Sequence, residues 1–236
     1  IDQEETILIL YPASKNYKTR EILFIRKSDN HTKVWEGEKL SKKQANELSG
    51  INNICYIEDF KDILSSIATK VDTFYINKNE HYRANSPVET REDRFISWLL
   101  KKYPAHNVAK SNPILQRQRS LKHPNEIDQI KRACEITGKG FNRVLKFIKP
   151  NIWEYEIEAE FIHEFINNSS KGFAYSPIIA SGNDNNVLHY IKNNKQCKSG
   201  ELILMDVGAE YGNYSSDMTR TVPVSGKFSK RQKQVY

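Results

Sequence analysis

Two acidic residues, Asp206 and Asp217, stand eleven positions apart on either side of a turn-forming stretch, Tyr211-Gly212-Asn213. Before it, Leu202 to Val207 is a strongly apolar run that reads as a strand; after it, Tyr214 to Val224 returns as a second strand ending near Pro223. With Tyr211 and Gly212 at the tip of this hairpin, Asp206 falls directly opposite Asp217, with Cβ atoms about 4.5–5.5 Å apart on one face. Two carboxylates so placed repel each other, and inside an apolar sheet each loses several kcal/mol of hydration. A pair of divalent cations about 3.5–4 Å apart matches the bite of a bridging carboxylate, and such a site activates a shared water for attack on a carbonyl. Oxygen ligands with a histidine or two favour Mn, Co, Fe or Zn over a thiophilic metal, with Mn the first choice. On the residues alone an alternative stays open, in which Asp206 lies at a strand end near solvent and Asp217 is an ordinary carboxylate near a turn.

The wider context favours the metal. Asp206-Val207-Gly208, the step to Asp217, and Asp217-Met218-Thr219-Arg220-Thr221-Val222-Pro223-Val224 together resemble the first two metal-ligand segments of the pita-bread metallopeptidases. Upstream, Ser181-Gly182-Asn183-Asp184-Asn185-Asn186-Val187-Leu188-His189-Tyr190 is similar to the family segment that ends in an active-site histidine. The resemblance implies that His189 contacts substrate or stabilises the transition state, although a lone histidine is more often structural. Arg220, three residues past Asp217, could orient an adjacent carboxylate or form a surface salt bridge. The run from Leu121 through Thr137, and Gly172 to Gly182 after it, also resemble the opening helices and strand of that catalytic domain.

What precedes residue 113 narrows the family. Methionine aminopeptidases lack so large an α/β domain there, whereas aminopeptidase P, prolidase and creatinase resemble one another in having it. Val34-Trp35-Glu36-Gly37, after a strand and polar turn, is more similar to aminopeptidase P than to prolidase. The expected architecture is α/β (α+β): an N-terminal domain over 1–112 and a partial pita-bread catalytic domain over 113–236. The resemblance implies a dinuclear metallopeptidase that removes the N-terminal residue from peptides with proline in second position. Asp206 and Asp217 would bind or bridge the metals. The family's later histidine and two later glutamates lie outside this sequence, so the natural protein is expected to be longer and this stretch inactive alone. Rival readings are a prolidase restricted to dipeptides, a non-catalytic binding module on the same fold, and a regulatory or dimerising fragment. The family's N-terminal domain also implies a homo-oligomer.

The elements that must hold these residues are partly legible. Thr6 to Leu10 and Glu21 to Ile25 read as strands joined through Tyr11-Pro12-Ala13-Ser14. A helix from Ser41 to Leu48 is capped by Ser41 and closed by Gly50. Ile54 to Ile57 is strand-like, Phe60, Ile63, Leu64 and Ile67 recur at helical spacing, and Val71 to Ile76 returns to a β pattern. A helix over about Thr90 to Lys102 leads into Tyr103 to Pro113, a turn-rich segment expected to be the domain boundary. His123-Pro124-Asn125-Glu126 opens a long helix whose inner face is Ile127, Ile130, Cys134, Thr137, Phe141, Val144, Leu145 and Ile148, ending at Lys149-Pro150. Another helix covers about Trp153 to Asn167, with Ile157, Phe161, Ile162 and Phe165 inward and Glu154, Glu156, Glu158 and Glu160 solvating it.

Composition bounds the rest. The 236 residues, 38% hydrophobic and 28% charged, lie near globular composition, and their length suits two domains. The net charge of +7 is scattered in short clusters without an aromatic-interleaved basic motif, so no nucleic-acid partner is expected. Cys55, Cys134 and Cys197 are in no zinc or disulfide spacing, which points to a reducing, cytoplasmic setting. No run approaches the ~18 apolar residues of a membrane span, and the sequence lacks an initiator Met, so position 1 is not expected to be the natural start.

Overall fold

A computed structural model describes residues 3–78, 81 and 86–236. The chain divides into two compact units, Ile1–Gln116 and Arg117–Tyr236.

In the first unit, β1 (Ile7–Leu10) and β2 (Glu21–Ile25) form the expected antiparallel pair, with Leu8 opposite Leu23. On its other side β2 pairs in parallel with β3 (Ile54–Tyr56), so it is the central strand of three. That position explains its continuous run Ile22-Leu23-Phe24-Ile25, buried on both faces. Ile22 and Phe24 pack on Phe60, Leu64 and Ile67 of one helix and Leu99 of another, while Leu23 and Ile25 meet Ala45 on the opposite side.

The helices are α1 (Asn30–Glu36), α2 (Lys42–Ser49), α3 (Phe60–Ala68) and α4 (Arg91–Lys102). Ser41 and Gln44 cap α2 reciprocally, and Gly50 ends it in the left-handed conformation, with φ 71°. Ser41→Ala removes one half of this box, and it is expected to lower stability by about 1 kcal/mol in chemical denaturation. Two segments hold elements that the sequence did not reveal. Val34-Trp35-Glu36 lies on α1, capped by Asp29, with Trp35 76% exposed. The turn-rich segment contains β5 (Asn107–Lys110), which pairs in parallel with β4 (Thr73–Ile76), and then α5 (Asn112–Ser120).

The second unit is built on two helices, α6 (Pro124–Phe147) and α7 (Glu154–Asn167). Pro124 opens α6 and Glu126 caps it, as the sequence suggested, with His123 at the N-cap. Its buried stripe is Ala133, Ile136, Thr137, Gly140, Phe141 and Val144; Ile127, Cys134 and Leu145 are exposed, because the contact with α7 runs one position away from the expected face. Phe141 and Phe161 meet edge to face at 5.1 Å, and Gly140 lets α7 approach where a Cβ would stand 2.8 Å from the Phe165 ring.

Against these helices lie β6 (Gly172–Phe173), β7 (Ile178–Ser181), β8 (Leu202–Val207), β9 (Ala209–Tyr211), β10 (Tyr214–Ser215) and β11 (Met218–Pro223), followed by α8 (Lys230–Val235). They form two three-stranded sheets, β11-β8-β7 and β10-β9-β6. The expectation that the α7 glutamates merely solvate the helix is corrected. Glu154 is fully buried, Glu156 accepts from the Trp153 backbone N–H, Glu158 from Asn193, and Glu160 pairs with Arg143.

Candidate metal centre

Strand β8 alternates by face. Ile203, Met205 and Val207 point into the core made with α6 and α7, which leaves Leu204 and Asp206 on the other side. Asp206 therefore sits on the central strand of its sheet, flanked by Thr219 on β11 and Ile178 on β7.

The hairpin register differs from the sequence expectation by two residues. Its tip is Gly212-Asn213, both left-handed at φ 58° and 65°, so Tyr211 pairs with Tyr214 and Asp206 with Thr219 rather than with Asp217. A two-residue loop with both central residues at positive φ has the twist that suits adjacent strands, and Gly and Asn adopt it readily. Because the shift is even, both aspartates stay on the same face, as diagonal rather than direct neighbours.

Between β8 and β9 the ladder breaks at Gly208, opposite the break at Ser216-Asp217 between β10 and β11. A Cβ at Gly208 would lie 1.9 Å from the Ser216 carbonyl oxygen and 3.1 Å from the Tyr175 ring, so only glycine allows this crossing. A buried cluster fixes it: the hydroxyls of Thr137 and Ser216 meet at 2.6 Å, and the Ala209 N–H donates to both, at 2.9 and 3.0 Å. Thr137 belongs to α6, so the longest helix is tied directly to the break that carries Asp217.

The residue that joins the two carboxylates is Tyr175, which sequence reasoning did not single out. It follows β6, on a segment anchored by the Ala174 N–H donating to the Gly208 carbonyl at 2.8 Å. Its hydroxyl lies 2.7 Å from Asp206 Oδ1 and 3.0 Å from Asp217 Oδ1. The two oxygens can be no further apart than these bonds laid end to end. Burial first, then both carboxylates, push the phenol well above its ordinary range, so Tyr175 keeps its single proton and shares it between two acceptors. Asp206 is half-buried and Asp217 exposed, so the loss of hydration is smaller than a closed apolar sheet would impose.

His189 and Arg220 are not part of this contact. His189 occupies an exposed turn and makes no hydrogen bond. Arg220 donates to the Thr219 carbonyl at 2.7 Å and pairs with Met205, which puts it on the sheet face away from Asp206. The strand pleat thus gives Arg220 no contact with Asp206. Among the described residues no three His, Cys, Asp or Glu side chains converge as a metal site. The donor set here is a pair of carboxylates with open solvent on one side, and it fits hard divalent cations as a partial site.

The chain is similar to known proteins along most of its length. Residues 128–236 match the family model of Metallopeptidase family M24, and residues 1–75 match that of the aminopeptidase P N-terminal domain. The chain is 31% identical over 220 residues to Xaa-Pro aminopeptidase of Haemophilus influenzae and 29% identical over 241 residues to that of Escherichia coli. It covers 48% and 53% of those proteins, so it spans about half the length of the curated relatives it matches. Among solved structures, one described as an aminopeptidase P from Bacillus anthracis aligns with a TM-score of 0.86 at 34% identity, over 92% of this chain and 52% of that one. Zinc-substituted E. coli aminopeptidase P with bound product aligns at 0.81 and 29% identity, over 92% of this chain and 49% of that one. With one match at each end of its sequence and this agreement in fold, the chain is similar to metallopeptidase family M24 over residues 128–236 and to the aminopeptidase P N-terminal domain over residues 1–75.

Proposed function

We propose that the complete protein carrying this chain is a metal-dependent Xaa-Pro aminopeptidase, hydrolysing the amide bond between an N-terminal residue and a following proline. The observation that carries the reading is the convergence of Asp206, on β8, and Asp217, at the break before β11, on one phenol. Asp206 and Asp217 would hold two divalent cations, manganese first, with zinc, cobalt or iron as alternatives. When bound, such a pair lowers the pKa of a shared water and polarises the scissile carbonyl. Tyr175 keeps both carboxylates turned toward that position, and the exposed His189 is available to hydrogen-bond the substrate near the scissile bond. A cytoplasmic location and a homo-oligomer accompany the proposal; among the described residues no helix is long and apolar enough to cross a membrane.

The test is hydrolysis of an Xaa-Pro-Xaa tripeptide and an Xaa-Pro dipeptide, before and after chelation, with manganese added back. Chelator-sensitive tripeptide cleavage supports the reading. Cleavage of the dipeptide alone would replace it with a prolidase, and no cleavage with no bound metal would leave a binding module. Tyr175→Phe keeps the ring but removes the shared proton donor. It is expected to weaken metal affinity about 10–100-fold, read by titrating manganese into the chelated protein.

A further inference from the structure

We propose that Glu154 is the positioning residue for His189, a clasp that closes both ends of the segment bearing the histidine; this rests on the catalytic reading of His189 above. Glu154 is the first residue of α7 and is fully buried. Four donors meet its two oxygens. Oε1 accepts from the Ser181 N–H and the Ser181 hydroxyl, both at 2.7 Å, and Oε2 accepts from the Tyr190 hydroxyl at 2.8 Å and the Lys195 N–H at 3.0 Å. Ser181 is the last residue of β7, before the segment turns out through Gly182–Asn186, and Tyr190 follows His189 immediately. One carboxylate thus holds the departure and the return of the chain around its exposed apex, where Leu188 is 83% exposed.

The clasp also sets which sheet face the residue after the histidine packs on. The buried ring of Tyr190 packs against Ile178, Ala180 and Leu204. Ile178 pairs with Asp206 and Ala180 with Leu204, so all four share one sheet face, the face of the candidate metal ligand. Burial and the Glu154 carboxylate push the Tyr190 phenol up to about 12, which keeps it a donor. Asn193 pins the return path further: it accepts from the Ile179 N–H at 3.1 Å and donates to Glu158 at 3.0 Å and the Pro177 carbonyl at 3.1 Å.

Glu154→Gln tests the clasp without changing its shape. Each oxygen of Glu154 accepts from one backbone N–H, so either orientation of a Gln amide turns its NH2 against one of them. The experiment compares E154Q, H189A and the double variant in the complete metal-loaded protein, measuring bound metal, KM and kcat on an Xaa-Pro-Xaa tripeptide. E154Q is expected to keep its metal and its KM while kcat falls on the order of tenfold to a hundredfold, the scale of a misplaced reacting group. In the H189A background the same substitution is expected to change kcat no further, because Glu154 acts through His189. An equal loss in both backgrounds would overturn the proposal, as would unchanged kcat in E154Q alongside a loss in H189A. Wild-type turnover in H189A would instead sink the role of His189 on which the proposal rests. If E154Q does not fold, Tyr190→Phe removes one donor and keeps the ring, and the same pair of comparisons applies to it.

Discussion

Asp206→Asn is expected to abolish chelator-sensitive tripeptide hydrolysis in the complete protein while leaving the fold intact. The amide has the shape of the carboxylate and its oxygen can still accept from Tyr175 at the position of Oδ1, 2.7 Å away. What it lacks is the negative charge a hard cation requires. The metal-free protein should be no less stable than wild type, since one of two neighbouring like charges has gone. The difference emerges when manganese is added. A ligand that binds only the folded state stabilises it by about 2.7 kcal/mol at a hundred times its dissociation constant. Wild type should gain that amount in thermal or chemical unfolding, and Asp206→Asn should gain little of it. Asp217→Asn should behave alike, being bonded to the same hydroxyl at 3.0 Å. Full metal content and normal turnover in either variant would remove that aspartate from the metal site.

How far such a site can be read from sequence depends on whether its parts are local. The terminal residues of α2 and α6 act within a few positions, and Ser41, Gly50, Pro124 and Glu126 perform in the structure as their types suggest. The hairpin was visible, but its register turned on which two residues occupy the tip. Tyr211-Gly212-Asn213-Tyr214 offers two choices one position apart, and the preference of Gly and Asn for positive φ selects the central pair. Strand β5 was hidden because Asn107-Val108-Ala109-Lys110 has only two apolar residues, and its place is given by parallel pairing with β4, thirty-four positions away. Tyr175 carries no signal in its own neighbourhood, since its partners lie far along the sequence, on β8 and at the break before β11.

Glu154 could have been found. It stands three, seven and eleven positions before Ile157, Phe161 and Phe165, the buried stripe of α7, so helical spacing places it inside, where a charge requires several donors. The alternation of four glutamates concealed this. A period of two on a helix distributes side chains around it, and each glutamate consequently meets a different partner: Glu156 the start of its own helix, Glu158 the return path after His189, Glu160 the neighbouring helix. The local composition describes a solvated helix, whereas the face arithmetic describes a structural carboxylate.

Gly208→Ala should produce the largest loss of stability of any single methyl group added to the second unit. The new Cβ would stand 1.9 Å from the Ser216 carbonyl oxygen, a backbone atom that cannot rotate aside, with the Tyr175 ring 3.1 Å away on another flank. Relief requires the Ser216-Asp217 backbone to move off β8, which disrupts the Ser216 hydrogen bonds to Thr137 and Ala209. Overpacking with loss of buried hydrogen bonds places the expected destabilisation at about 3 kcal/mol or more. Gly138→Ala is the internal comparison. It lies in α6 with open space around its Cβ position, so helix propensity should raise stability by about 1 kcal/mol. Denaturation midpoints should therefore move in opposite directions for the same chemical change. The consequence reaches the site: a displaced Asp217 no longer shares the Tyr175 proton with Asp206, so any Gly208→Ala protein that still folds should bind manganese more weakly. A wild-type midpoint and wild-type affinity in that variant would mean that the crossing relaxes freely, and that the spacing of the two aspartates is not held by the backbone.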